Sequence, residues 1–175
     1  ILEESNKVSF TSKCAPNIAL VYVGHYRVNG IEKASTFDFS SLMVTSIVRG
    51  CVRMQNLQYS RSKNAVPLIH TTNLRKRKLI GLEYILAGNN VLVDGNGVVI
   101  PRVCNPSPDK IVLLEGNTTY ALSDCVIVIR TKNKVDAKRI QNSIIDNWSD
   151  FVSVYKGTGA QYTTIERLKT LFGKT

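Results

Sequence analysis

Apolar residues in this chain fall in short runs, rich in Val and Ile, between clusters of Gly, Asn, Asp and Pro. Runs of that length bounded by turn residues predict strands, so the chain is expected to be mainly β. The spine of the pattern is the stretch 91–102. Val-Leu-Val meets Asp94-Gly95-Asn96-Gly97, and Val-Val-Ile-Pro-Arg follows. Asp-Gly and Asn-Gly supply the positive φ of a primed turn, so a tight two-stranded hairpin is expected here. Residues 125–130, Cys-Val-Ile-Val-Ile-Arg, predict a buried strand. Residues 42–48, 66–70 and 110–114 predict further strands, with Gly50 at a bulge or sharp turn and Pro67 at an edge or first position. Residues 17–24 predict a strand, and Asn29-Gly30 turns it back over 31–39 as an N-terminal hairpin.

Two segments carry helical spacing. Val135, Ala137, Ile140, Ile144 and Ile145 predict a helix over 135–147, with Asp136 favourable near its positive end. Trp148 and Phe151 are expected to pack its C-terminal end on the sheet. A second helix is predicted over 165–172, where Thr163 and Glu166 have the spacing of a capping box. In 71–78, Thr or Asn can cap a short helical turn. Residues 79–87 fit helix and strand equally, and residues 54–65 read as a loop.

The chain of 175 residues suits one domain, or one domain with a small lobe. A hydrophobic fraction of 43% excludes wholesale disorder. No apolar run approaches the ~18 residues of a membrane span. The start, Ile1-Leu-Glu-Glu, has neither an initiator Met nor a signal pattern, which reads as a cut inside a longer protein. Residues 1–41 are expected to be an extension and hairpin packing on a domain of residues 42–175. Cys14, Cys51, Cys104 and Cys125 form no C-x-x-C pair and read as reduced thiols, three of them packed in strands. That suits a bacterial-type cytoplasm.

Catalytic chemistry finds little support. No glycine-rich phosphate loop opens a helix. His70, Asp94 and Ser123 stand in an order some serine proteases use, but Ser123 sits in Leu-Ser-Asp-Cys rather than a glycine-rich nucleophile loop. Asp109 and Glu115 flank a predicted strand without the nearby lysine that a magnesium nuclease commonly uses. No catalytic residue and no metal ligand set is expected in this chain.

Charge changes the picture more than composition does. The net charge is +10, and no acid lies between Asp38 and Glu83. That window holds Arg49, Arg53, Arg61, Lys63, Arg75, Lys76, Arg77 and Lys78. A field so polarised fits a polyanion, and duplex DNA is the partner that it suits best. His70, Thr71, Thr72 and Asn73 place hydrogen-bonding groups beside the cations, as base reading requires. Single-strand binding would need stacking aromatics, and the cationic stretch 49–78 holds only Tyr59. A second basic loop, 155–162, carries Lys156, Thr158, Gln161 and Tyr162 among glycines that permit close backbone approach. Arg102 closes the central hairpin. Arg61 and Lys63 apart, these fifteen residues are the expected DNA contacts.

Four segments together resemble a known family: Pro67-Leu-Ile-His-Thr-Thr-Asn-Leu-Arg75; Val91-Leu-Val-Asp94 through Ile100-Pro-Arg102; Ala121-Leu-Ser-Asp-Cys-Val-Ile-Val-Ile-Arg130; and Tyr155-Lys-Gly-Thr-Gly-Ala-Gln-Tyr162 running into Thr163-Thr-Ile-Glu-Arg-Leu168. Their order and spacing over about 42–172 are similar to target recognition domains of restriction-modification systems. Such domains occur in type I restriction specificity subunits and at the C-terminal end of adenine-N6 DNA methyltransferases. The resemblance implies an α+β fold, mainly β, with a twisted mixed or antiparallel sheet, hairpins and a few short helices. It implies sequence-specific recognition of double-stranded DNA on behalf of a methyltransferase catalytic domain, in cis or as another subunit. S-adenosylmethionine would belong to that catalytic domain, whose cofactor and Asn/Asp-Pro-Pro-aromatic motifs are absent here, and no cofactor is expected in this chain. The long spacer helix and second domain of type I subunits do not follow Gly173-Lys-Thr175, which favours the methyltransferase or fused-enzyme setting. Half of a type I specificity subunit, a small magnesium nuclease and a basic protein-binding module stay open as alternatives.

Overall fold

The computed structural model describes residues 36–175 apart from 87, 89–91, 115, 158 and 175. The expectations for the strand 17–24, the Asn29-Gly30 turn and Cys14 lie outside the described residues. The described residues belong to one compact unit, Thr36–Thr175. It therefore includes Phe37 and Phe39, so the boundary falls before the expected one at residue 42. Phe39 is buried and meets Phe151 and Phe172 ring to ring, at 6.1 and 5.8 Å between centroids.

The fold is α+β, mainly β. One antiparallel sheet joins β1 (Ser46–Arg49), β7 (Asn96–Pro101), β8 (Val112–Leu113) and β10 (Val126–Thr131) in the order β1-β10-β7-β8. A second, mixed sheet joins β2 (Ala65–Ile69), β5 (Glu83–Leu86), β6 (Leu92–Val93) and β9 (Tyr120–Leu122) in the order β5-β2-β9-β6. A small ribbon pairs β3 (Leu74–Arg75) with β4 (Lys78–Leu79). The helices are α1 (Lys134–Asp146), α2 (Trp148–Val152) and α3 (Ile165–Leu171).

Alternation along β7 and β10 explains the layering. Val98, Ile100, Ile127 and Ile129 face the helices and pack with Ile140, Ile144, Phe151, Leu168 and Phe172. Val99, Val126 and Val128 face the other way and pack with Ile69, Val93, Tyr120 and Leu122 of the second sheet. Both faces of this strand pair are buried, so both strands read as continuous apolar runs. The strand expected at 125–130 is therefore found as β10. Helix α1 has the expected span within a residue at each end, and its cap is Asn133, whose side chain accepts from the Asp136 N–H at 2.8 Å. Val135 is not on its buried face: it is 76% exposed. Helix α3 is capped by Thr164, which accepts from the Arg167 N–H, rather than by Thr163, which is buried.

The central hairpin is not a hairpin. Strands β6 and β7 belong to different sheets: β6 pairs with β9, and β7 with β10 and β8. The Asp94-Gly95 corner, with Gly95 at φ +78, carries the chain from one sheet to the other. The turn chemistry is local and was legible, but the partner was decided by burial. A six-residue strand apolar on both faces goes to a sheet centre, where two neighbours cover its edges. Gly97 is needed for another reason: a Cβ there would stand 2.7 Å from the Ile129 carbonyl oxygen. Pro67 lies in β2 where only β5 flanks it, because β9 pairs further on at Leu68 and Ile69. That position is an edge in effect, as its missing N–H demands.

A hairpin that the sequence did not announce occurs at 75–78. Arg75 pairs with Lys78, and Lys76 and Arg77 form the two-residue turn at φ 50 and 60. Asn-Gly normally fills such a turn, and a side chain held at positive φ costs roughly 1–3 kcal/mol. The expected short helical turn is present just before it, as one 3-10 turn over Thr71–Asn73.

Candidate nucleic-acid interface

The turn Ser123-Asp124-Cys125 carries the chain from β9 of the second sheet to β10 of the first. Register places one end of each sheet there: Arg49 opposite Ile127, Pro101 opposite Val126, and Ile69 opposite Leu122. Three segments far apart in sequence are hydrogen-bonded around it. The Ser123 N–H donates to the Ile69 carbonyl at 2.9 Å, and the Val52 N–H to Leu122 at 3.1 Å. The Asp124 N–H returns to Val52 at 3.0 Å, and the Arg102 N–H donates to Cys125 at 2.7 Å. Gly50 makes the approach possible, because a Cβ there would lie 2.0 Å from the Ser123 carbonyl oxygen.

The loop 155–162 joins the same end. The Thr163 N–H donates to Arg102 and the Cys104 N–H to Gln161, at 2.9 and 3.0 Å. Lys156 and Tyr162 close the loop by exchanging backbone hydrogen bonds. Buried Tyr155 anchors its base: the hydroxyl donates to the Pro101 carbonyl at 2.6 Å, and burial raises its pKa far above the ordinary phenol value. Tyr155→Phe leaves that buried carbonyl without its partner. Thermal unfolding should show a loss of about 1–2 kcal/mol, and an unchanged melting temperature would show that the anchor does not hold the loop.

The cations of this end are Arg49, Arg102, Lys110, Lys156 and Arg167. Arg49 and Lys156 are exposed, whereas Arg102 is half-buried and fixed, its Nε donating to the Asp124 carbonyl at 2.6 Å. Arg167 lies 5.0 Å over the Tyr162 ring and donates to the Tyr162 carbonyl. Lys110 donates to the Asn105 carbonyl at 3.1 Å. Lys110 and Arg167 were not among the expected contacts. Nothing in their local sequence separates them from other surface cations; only the tertiary neighbours do. Among the described residues, no carboxylate forms an ion pair with these side chains. The pair Asp94–Arg130, at 3.0 Å, stands at the opposite end of the sheet. Charge left unpaired at one end favours an anionic partner there.

The expected contacts divide by placement. Arg53 is exposed one residue beyond Val52. Arg75, Lys76, Arg77 and Lys78 are exposed on the ribbon, whose Arg77 N–H donates to the Asp109 carbonyl at 2.7 Å, beside Lys110. Thr72 is exposed on a small cleft of about 160 Å³ that His70, Asn73 and Glu83 also line. Thr158 lies outside the described residues.

Asn73 is the expectation that the structure corrects. It is buried, both amide hydrogens are committed to the Ile80 and Gly81 carbonyls, and its oxygen accepts from the His70 N–H at 2.8 Å. It clamps the base of the ribbon and has no donor left for a base edge. His70 is half-buried, with Nδ1 hydrogen-bonded to Ser123 Oγ at 2.9 Å and Thr71 Oγ1 at 3.4 Å from Nε2. Burial lowers its pKa more than Asp124 raises it, so it is neutral near pH 7 and adds no charge. His70 and Ser123 thus meet, but Asp94 is elsewhere and Ser123 is fully buried, so the arrangement offers no nucleophile. The cysteines also depart from expectation. Cys51, Cys104 and Cys125 lie in turns and loops rather than strands, and burial raises the thiol pKa of Cys104 and Cys125.

The fold and this end together define an α+β domain with a basic rim built from four distant segments. Among the described residues, no helix is long and apolar enough to cross a membrane, and no group of three or more His, Cys, Asp or Glu is placed to hold a metal ion. No family model matches the chain. No curated protein matches it either. Among solved structures, the crystal structure of the HsdS subunit from Thermoanaerobacter tengcongensis is similar over 78% of this chain, with a TM-score of 0.41 and 10% identity. The match spans 34% of that subunit. A likeness this distant carries no argument about function.

Proposed function

We propose that this chain is a sequence-specific double-stranded DNA recognition domain of a restriction-modification enzyme, directing an adenine-N6 methyltransferase that lies outside it. The observation that carries the reading is the convergence of basic segments on the Ser123–Cys125 turn. Arg49, Arg102 and Lys156 are far apart in sequence and share one end of the fold. Parts of all four motif segments that resemble target recognition domains meet at this end, beside the 49–52 segment, which supports the reading from a second direction. Duplex phosphates supply the anions that the cations lack, and side chains held on a rigid rim can address base edges. S-adenosylmethionine and the transfer chemistry belong to the partner catalytic domain, in cis or as a separate subunit, in the bacterial cytoplasm.

The test is duplex selection from a randomised pool by the full chain, followed by titration of the selected and scrambled duplexes over a range of salt. The selected duplex should bind about 10³-fold or more tightly than the scrambled one. Affinity should fall with salt by a log–log slope of roughly 0.9 per phosphate contacted. Equal affinity for all duplexes at moderate salt would refute the proposal.

A further inference from the structure

We infer that the β3–β4 ribbon is the base-reading element of this domain, inserted in the DNA major groove with Lys76 and Arg77 at its tip. The inference rests on the DNA-recognition reading above and deepens it. Three local features of the ribbon all work against its stability. Two long cationic side chains occupy the turn at positive φ, where Asn-Gly would sit without strain. Arg75 and Lys78 stand directly opposite each other across the ribbon, like charge against like. Among the described residues, none of the four cations has a carboxylate ion-pair partner.

The same ribbon is held firmly at its base. Leu74 is buried, Asn73 donates to both the Ile80 and Gly81 carbonyls, and the Ile80 N–H donates back to Asn73 at 3.0 Å. The Arg77 N–H is fixed to the Asp109 carbonyl. A strained tip on a rigid base marks a functional constraint, because a loop free to relax would not keep two side chains at positive φ. The chemistry that would offset four adjacent cations is a polyanion. A two-stranded ribbon fits the major groove, about 12 Å wide, where Arg or Lys can address guanine O6 and N7.

The test compares the full chain with the Lys76→Asn/Arg77→Gly double variant and with a Lys132→Asn/Lys134→Gln control. The control removes the same charge from exposed positions at the opposite end of β10. The ribbon variant should melt at least about 3 °C higher, because the turn strain is relieved. It should bind the selected duplex about tenfold or more weakly. It should also lose base preference over roughly two to four adjacent positions that include a guanine. The control should keep the wild-type preference. A ribbon variant that keeps wild-type preference at every position overturns the inference and leaves the DNA-recognition reading standing. A control that loses as much preference also overturns it. A wild-type chain that selects no sequence, or that binds anionic vesicles in place of duplex, overturns both.

Discussion

Gly50→Ala is expected to be the most damaging small substitution in the described part of this chain. The added methyl would stand 2.0 Å from the Ser123 carbonyl oxygen and 2.6 Å from the Leu122 carbonyl carbon. These are backbone atoms, so no rotamer change can clear the clash. Relief requires the 49–52 segment to withdraw from the β9–β10 turn. That withdrawal breaks the Gly50-to-Val126 and Val52-to-Leu122 hydrogen bonds and exposes Val52, which is 4% exposed at present. Overpacking of a closed site costs about 1–3 kcal/mol, and the lost hydrogen bonds about 1 kcal/mol each. A destabilisation of roughly 3 kcal/mol or more follows, a fall in melting temperature on the order of 10 °C for a unit of this size. Circular dichroism on heating measures it. Gly81→Ala is the comparison, since its Cβ would meet open space and only the positive φ of 67 opposes it. Equal melting temperatures for the two variants would show that Gly50 does not mark a close approach.

Arg102→Lys is expected to lose most of the DNA affinity despite keeping the charge. The Arg102 Nε donates to the Asp124 carbonyl at 2.6 Å, which holds the guanidinium in place. Lysine has no equivalent of that second attachment and presents a free, strongly hydrated point charge. The loss should be about 10- to 100-fold, or roughly 1.4–2.7 kcal/mol. The salt slope should change little, because the number of cations is unchanged. Arg102→Ala should lose a similar amount of affinity and also lower the slope by about one. If Arg102→Lys binds as wild type, the guanidinium is not a fixed contact and the charge alone matters.

The two substitutions probe the same junction from opposite sides. Gly50 lets the backbone close on the Ser123–Cys125 turn, and Arg102 uses that closure to hold a charged group in place. Rigidity of this kind favours discrimination between sequences over mere attraction to phosphate, because base contacts tolerate little displacement.

Much of the local structure was legible in the chain. The buried strand expected at 125–130, the helix expected over 135–147, the turn at Asp94-Gly95 and the breakers around them follow from periodicity and turn chemistry, which act over a few residues. The basic window and the 155–162 loop were legible as charge and glycine content. What was not legible was pairing. The run 91–102 contains a strong turn signal, and nothing nearby shows that its two arms enter different sheets. That choice depends on burial of both faces of Asn96–Pro101 between Val126–Thr131 and Val112–Leu113. The Lys76-Arg77 turn was missed because its residues are the wrong type for the conformation that they hold. The role of Asn73 was misread because a polar residue beside a cationic run looks like a contact until its partners are known.

The sequence alone thus determined the composition of the parts: which runs are strands or helices, where the chain turns, and that its surface is strongly cationic. Those properties come from side-chain alternation, backbone φ preferences and unpaired charge, all read within a few residues. The tertiary structure decided which strands are neighbours, that Arg49, Arg102 and Lys156 share one end, and that Asn73 supports where it was expected to bind. The physical reason is range. Burial of both faces of a strand and satisfaction of its edges are met by partners tens of residues away, and only the folded chain shows which partners those are.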